Sequence, residues 1–258
     1  MNGFILFFKK EMAELLKTVK GVVLAAVFLV VAVISPAMTK LTPEILKMVD
    51  LGEELDAVMA MIPEPDSTAS YAQFYENFNI LGLLAVIIVF AGSVSNEKSK
   101  NTAAYILTKN ISRTQFILSK FAASVVFVFF SLVLSMGTQA LYTGVLFSDD
   151  LIKPPCVAAF SALLFLYLIF VLSFTLFSSV VSKSVTSATF FAFLIFIVFN
   201  FLASIPKIGR YMPTAVNNFG VLNGTVSISD LSADIVITAL CSFVFVILST
   251  ELFKRQEL

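Results

Sequence analysis

The chain has 258 residues, 59% of them hydrophobic and only 13% charged, with 17 basic and 17 acidic side chains and no net charge. A soluble domain is nearer half apolar and about a quarter charged; here the apolar excess lies in long uncharged blocks, which excludes an ordinary soluble domain, and the charge balance gives no sign of a nucleic-acid partner. There is no histidine, so the commonest general base and metal ligand is missing.

Residues 2–18 carry Phe4, Ile5, Phe8, Met12, Leu15 and Leu16 at helical spacing, with Lys9, Lys10, Glu11, Glu14 and Lys17 between them. This pattern predicts an amphipathic helix lying in the membrane interface. The apolar run that follows Lys17 and Lys20 is long for a signal peptide and reads as an uncleaved first span, about 19–38. An acidic connection reaches to about Asn77 and is broken by Pro43, Pro63 and Pro65. Its apolar residues between Leu41 and Met61 predict short helices against the membrane surface.

Further spans are expected at about 78–94, 117–147, 156–181, 188–205 and 232–252. The third exceeds the hydrocarbon core and should tilt or protrude. The fourth and fifth are joined by a very short turn and form a hairpin. The connection 206–231 reads as a polar loop, rich in glycine and proline. The fold class is therefore an all-α membrane protein, one six-helix domain over residues 1–258. Six spans place both termini on one side. The far side holds only Lys40, Lys47, Lys153, Lys207 and Arg210 of the 17 basic residues. The positive-inside bias then predicts cytoplasmic termini.

Reactive groups are scarce. No Asp, Glu, Lys or Arg falls at the middle of a predicted span, which argues against an intramembrane enzyme. Cys156 and Cys241 stand alone in apolar blocks and read as packing residues. No phosphate-cradling GxxxxGK[ST] motif occurs, so no ATPase site lies on this chain. In span three, Ser124, Ser131, Ser135, Thr138 and Tyr142 share one helical face, and in span six so do Thr238, Ser242 and Ser249. Ser131, Ser135, Thr138 and Ser242 are candidates for a pathway lining or a dimer seam. The competing reading is helix packing through small residues.

The most informative stretch follows span two. A charged turn at 96–101 precedes Ala103, Ile106 and Leu107 on a short helix, and Ser112–Gln115 gives a helix-start signature for the next span. The segment reads as a small amphipathic helix beneath the membrane, able to pass a push from a partner to spans two and three.

Here the sequence resembles the membrane subunits of ABC-2 type transporters. Their characteristic run after span two is matched at Glu97, Lys98, Thr102, Leu107, Thr108, Ile111, Ser112, Arg113, Phe116, Leu118 and Lys120. It departs at Asn101, where glycine is usual, and at Asn110, where proline is usual. Further similarity lies in Ile34-Ser35-Pro36, Pro63-Glu64-Pro65 and Ser70-Tyr71-Ala72-Gln73-Phe74.

The resemblance implies six spans, an N-terminal elbow helix and a coupling helix between spans two and three, with Glu97, Thr102, Leu107, Ile111 and Arg113 as the coupling residues. It also implies a permease of a bacterial or archaeal cell membrane, paired with a second copy or a relative and surrounded by lipid. Separate cytoplasmic ATPase subunits would bind ATP and Mg, this chain holding no cofactor. The function expected is export. The alternative is a non-transporting scaffold or immunity subunit that binds a partner.

Overall fold

The structure, a computed structural model, describes residues 3–48, 65–107, 111–148, 152–209 and 211–256. Among these there is no strand. The helices are α1 (Gly3–Lys17), α2 (Val19–Met48), α3 (Ser67–Ser99), α4 (Thr102–Leu107), α5 (Arg113–Leu146), α6 (Pro154–Val181), α7 (Val185–Ala203) and α8 (Ser232–Arg255). Six of them, all but α1 and α4, are long and apolar enough to cross a membrane.

The spans run past their expected ends where local chemistry sustains the helix. In α2, Pro36 and Pro43 leave carbonyls without their usual N–H partners. Ser35 donates to the Val31 carbonyl, Thr39 to that of Ser35 and Thr42 to that of Met38, so these hydroxyls spend their own polarity on carbonyls of the same helix in an apolar surrounding. The helix continues to Met48, and residues 41–48 belong to it rather than to a surface helix. The rest of the stretch expected against the membrane, through Met61, lies outside the described residues.

Span two begins well before residue 78. Asp66 caps it by accepting from the Ala69 N–H at 2.6 Å, and Tyr71 and Phe74 are buried against the bundle. A π turn, Phe78–Gly82, interrupts α3. Beside it, Asn77 donates to Ser35 Oγ, and Asn79 Oδ1 accepts from Asn217 at 2.7 Å.

Helix α6 is the central element, packed against α3, α5, α7 and α8. Phe170 and Phe174 are buried in it and meet Phe245 of α8. Peripheral α7 turns Phe190, Leu194, Ile197 and Phe201 outward, as lipid contact demands. The connection expected to be a polar loop carries three 3-10 turns, Pro213–Val216, Phe219–Val221 and Ile228–Leu231. It is pinned to the bundle: Tyr75 donates to the Asn217 carbonyl, Thr238 donates to that of Pro213, and the Phe219 ring meets Tyr75 and Phe160.

Both termini lie at one end. Ser119, early in α5, donates to the Phe4 carbonyl, and Arg113 donates to carbonyls at the end of α8. The three-residue turn between α6 and α7 is at the same end, because Gln256 donates to the Val180 carbonyl at 3.0 Å.

Candidate coupling site

The terminal end gathers α1, the end of α3, α4, the start of α5 and the end of α8. The Ser112–Gln115 capping box expected from sequence is formed: the Ser112 hydroxyl accepts from the Gln115 N–H, and the Gln115 side chain accepts from the Ser112 N–H. It starts α5 directly after the connection.

At the other side of the connection, α3 ends through Asn101, whose φ of 55° is left-handed. Glycine takes this conformation without cost, and asparagine tolerates it better than most residues. That explains both the glycine of the resembled pattern and the asparagine here. The Asn101 N–H donates to the Lys98 carbonyl, and the Thr102 hydroxyl donates to that of Glu97. Helix α4 is thereby held against the end of α3, with Ala103 buried and Tyr105 exposed.

Beneath α4 lies an ionic cluster. The Lys120 ammonium is buried and stands 2.9 Å from both Glu11 Oε2 and Glu97 Oε1. Lys10 reaches Glu11 at 2.9 Å, Glu14 at 3.1 Å and Glu97 at 3.4 Å. Three helices, α1, α3 and α5, thus share one charge network. The Phe7 and Phe116 ring centroids lie 5.5 and 5.2 Å from the Lys120 ammonium.

Burial works against the charge on Lys10, but its hydrogen bond and charge interaction with Glu11, with Glu97 and Glu14 beyond, hold its ammonium well above the usual lysine range. Burial likewise opposes ionisation of Glu14, yet its hydrogen bond to Lys10 holds the carboxyl below the ordinary glutamate value. Glu11, Glu14 and Glu97 bring carboxylate oxygens within 4.8 Å of one another; Lys10 and Lys120 answer that negative charge.

The cluster corrects the reading of α1. Glu11 was expected among the solvated positions of an interfacial helix. Instead Glu11 and Phe7 form the buried face, packed on α5, while Ile5, Leu6 and Leu16 are exposed. The physical reason is Lys120: a buried ammonium requires a carboxylate beside it.

The five residues implied for coupling are placed as follows. Glu97 and Arg113 both turn inward. Glu97 enters the ionic cluster, its second oxygen Oε2 buried without a hydrogen-bond partner. Arg113 donates to the carbonyls of Phe253, Lys254 and Gln256 at 3.2, 2.8 and 2.6 Å. Thr102 is exposed on α4, and Ile111 packs against the cluster of Phe7, Phe116 and Phe253. Leu107 closes α4, and its side chain lies outside the described residues.

The polar residues proposed for a pathway or seam each donate to a backbone carbonyl. Ser131 and Ser242 are buried and donate to carbonyls one turn back, and Ser135 donates to the Phe28 carbonyl of α2 at 2.8 Å. Thr138 donates to the Leu134 carbonyl from a partly exposed position. Sequence reasoning missed Gln139. Its amide nitrogen donates to Ser70 and Thr143 in a buried knot between α3 and α5. The available signal was a lone amide within an apolar span, which needs partners to be buried.

A family model described as "Protein of unknown function (DUF2705)" matches residues 55–258. A protein of Bacillus subtilis (strain 168), described as "Uncharacterized transmembrane protein YxlG", is 26% identical over 188 residues, covering 73% of this chain and 71% of its own.

Proposed function

The chain belongs to the DUF2705 family, and from that premise we propose that it is the permease subunit of an ATP-driven exporter of the ABC-2 type. It acts as a dimer, with a second copy or a relative, and is coupled to separate ATPase subunits that bind ATP and Mg. Both termini and α4 face the cytoplasm, following the excess of basic residues at that end.

The observation that carries the reading is the placement of α4. It hangs between the ends of two membrane spans, and those spans are tied beneath it by the Glu97–Lys120 ion pair. A force on α4 therefore reaches α3 and α5 together, and through Glu11 it reaches α1. The resemblance through Glu97–Lys120 covers the same segment.

The test is site-specific photocrosslinking from Tyr105, which is exposed on α4, in native membranes. The expected product is an adduct with a cytoplasmic subunit carrying a P-loop, and ATP hydrolysis by the purified complex that falls when Tyr105 is replaced by aspartate. Isolation of an intact complex without such a subunit, or hydrolysis indifferent to the Tyr105 variant, would overturn the proposal in favour of a scaffold.

A further inference from the structure

A groove on the outside of the bundle between α5 and α6 has no role in the coupling argument. Its first part, about 600 Å³, is bounded by Tyr71 of α3, by Gly137, Ala140 and Gly144 of α5, and by Lys153 and Pro154. The second part, about 390 Å³, lies between Phe129 and Val133 of α5 and Ser161 and Phe165 of α6. Met136 and Ala158 border both, so the two are parts of one crevice. Each volume falls within the range of about 300–1,000 Å³ typical of ligand sites.

Three features describe the occupant. The first is length. From Gly144 to Phe129 the crevice follows α5 for roughly 22 Å at the helical rise of about 1.5 Å per residue. That matches one leaflet, with about 15 Å of hydrocarbon and its headgroup zone, rather than a full core of about 30 Å. A partner helix would follow the span through both leaflets.

The second feature is polarity. The deep part is aromatic and aliphatic. Lys153 stands exposed at the mouth and forms no ion pair among the described residues. It is one of few basic residues at this end, where the sequence is otherwise acidic. The third is a hydroxyl donor. Tyr71 is 4% exposed and borders the groove, and no hydrogen bond of its hydroxyl is found within the described residues.

We propose that this groove binds one phospholipid with an anionic headgroup. An acyl chain lies along Gly137, Met136 and Phe129, and the headgroup phosphate accepts from Lys153 and from the Tyr71 hydroxyl. The groove wall at Gly137 faces open space: a Cβ there would meet nothing within 4 Å. The site does not rest on the permease reading, and its test involves no ATPase.

The experiment is native mass spectrometry of the full chain released from nanodiscs holding equal phosphatidylglycerol and phosphatidylcholine. The wild type should retain phosphatidylglycerol in preference. Gly137→Leu and Ala158→Phe fill the crevice from opposite helices and should each lower retained lipid about tenfold, the equivalent of losing contact with about two buried methylenes. Lys153→Glu should leave chain binding in place and reduce the headgroup preference about fivefold. Lys153 is exposed, so this variant keeps the test open should a groove-filling chain fail to fold. Unchanged retention in the filled variants overturns the site. Equal retention of the two lipids by the wild type overturns headgroup recognition. A wild-type dimer that the filled variants split into monomers assigns the groove to a second copy instead.

Discussion

Lys120 and Glu97 lie 23 residues apart, on opposite sides of the connection between α3 and α5, and their charged atoms meet at 2.9 Å. Because Glu11 holds the same ammonium from a third helix, removing the lysine takes the buried cation from two carboxylates at once and leaves them only the more exposed Lys10. A buried ion pair broken from one side typically loses about 3–5 kcal/mol. Lys120→Met should destabilise the detergent-solubilised protein by about that amount in thermal unfolding. Combining it with Glu97→Gln should cost less than the sum of the single changes, because the two groups are coupled. Strict additivity would show that the pair is not a working contact.

Arg113 fastens the start of α5 to the end of α8 through three carbonyls. All three accept from the one guanidinium nitrogen Nη1, and lysine keeps the charge but replaces the rigid planar group that places this nitrogen with a flexible, strongly hydrated ammonium. Arg113→Lys should therefore release the segment near Gln256 and lose about 2 kcal/mol, the scale of a hydrogen bond from a charged donor. Limited proteolysis should show faster cleavage there than in the wild type. Equal cleavage rates would remove the clamp from the account.

Asn101 occupies a left-handed backbone position. Asn101→Ala should cost about 1 kcal/mol, and Asn101→Gly should be close to neutral. Chemical denaturation of the two variants side by side checks the order. If alanine were tolerated as well as glycine, the turn would not depend on this conformation.

The Lys10–Glu14 pair, one turn apart within α1, should weaken in acid. The Glu14 carboxyl titrates below its unfolded value, so its contribution is complete above the ordinary glutamate pKa of about 4.3 and is lost as pH falls through the folded value. Lys10 behaves in the opposite sense: its raised value keeps its contribution through neutral pH, and the loss begins only as pH rises past the ordinary lysine value of about 10.4. Thermal stability of the solubilised protein should fall as pH is lowered through that range, and fall less in a Glu14→Gln variant that has already lost the titrating group. An equal fall in the wild type and the variant would show that this pair does not contribute to stability.

What could be read in advance was local. The Ser112–Gln115 box depends on residues three apart, and the apolar blocks are visible without knowing their neighbours. The burial of Glu11 was not legible, because it depends on Lys120 of α5 lying across from α1, which no single-helix periodicity contains. Gln139 escaped for the same reason, since its partners Ser70 and Thr143 include one from another helix. The packing of the distal connection was not legible because it depends on anchors such as Tyr75 and Thr238, on other elements. Glycine and proline signal turns, but they do not tell which surface those turns will meet.

The π turn at Phe78–Gly82 divides α3 into two lengths that need not share one rotational setting. The distal length answers to α2 and the folded connection through Asn77 and Asn79, and the other length answers to Lys120 through Glu97. An unbroken α-helix would force a single compromise angle on both sets of partners. The extra residue acts as a phase shifter: each end of the rod keeps its own alignment, and a small rotation at the ionic end can be absorbed within the turn before it disturbs the distal end.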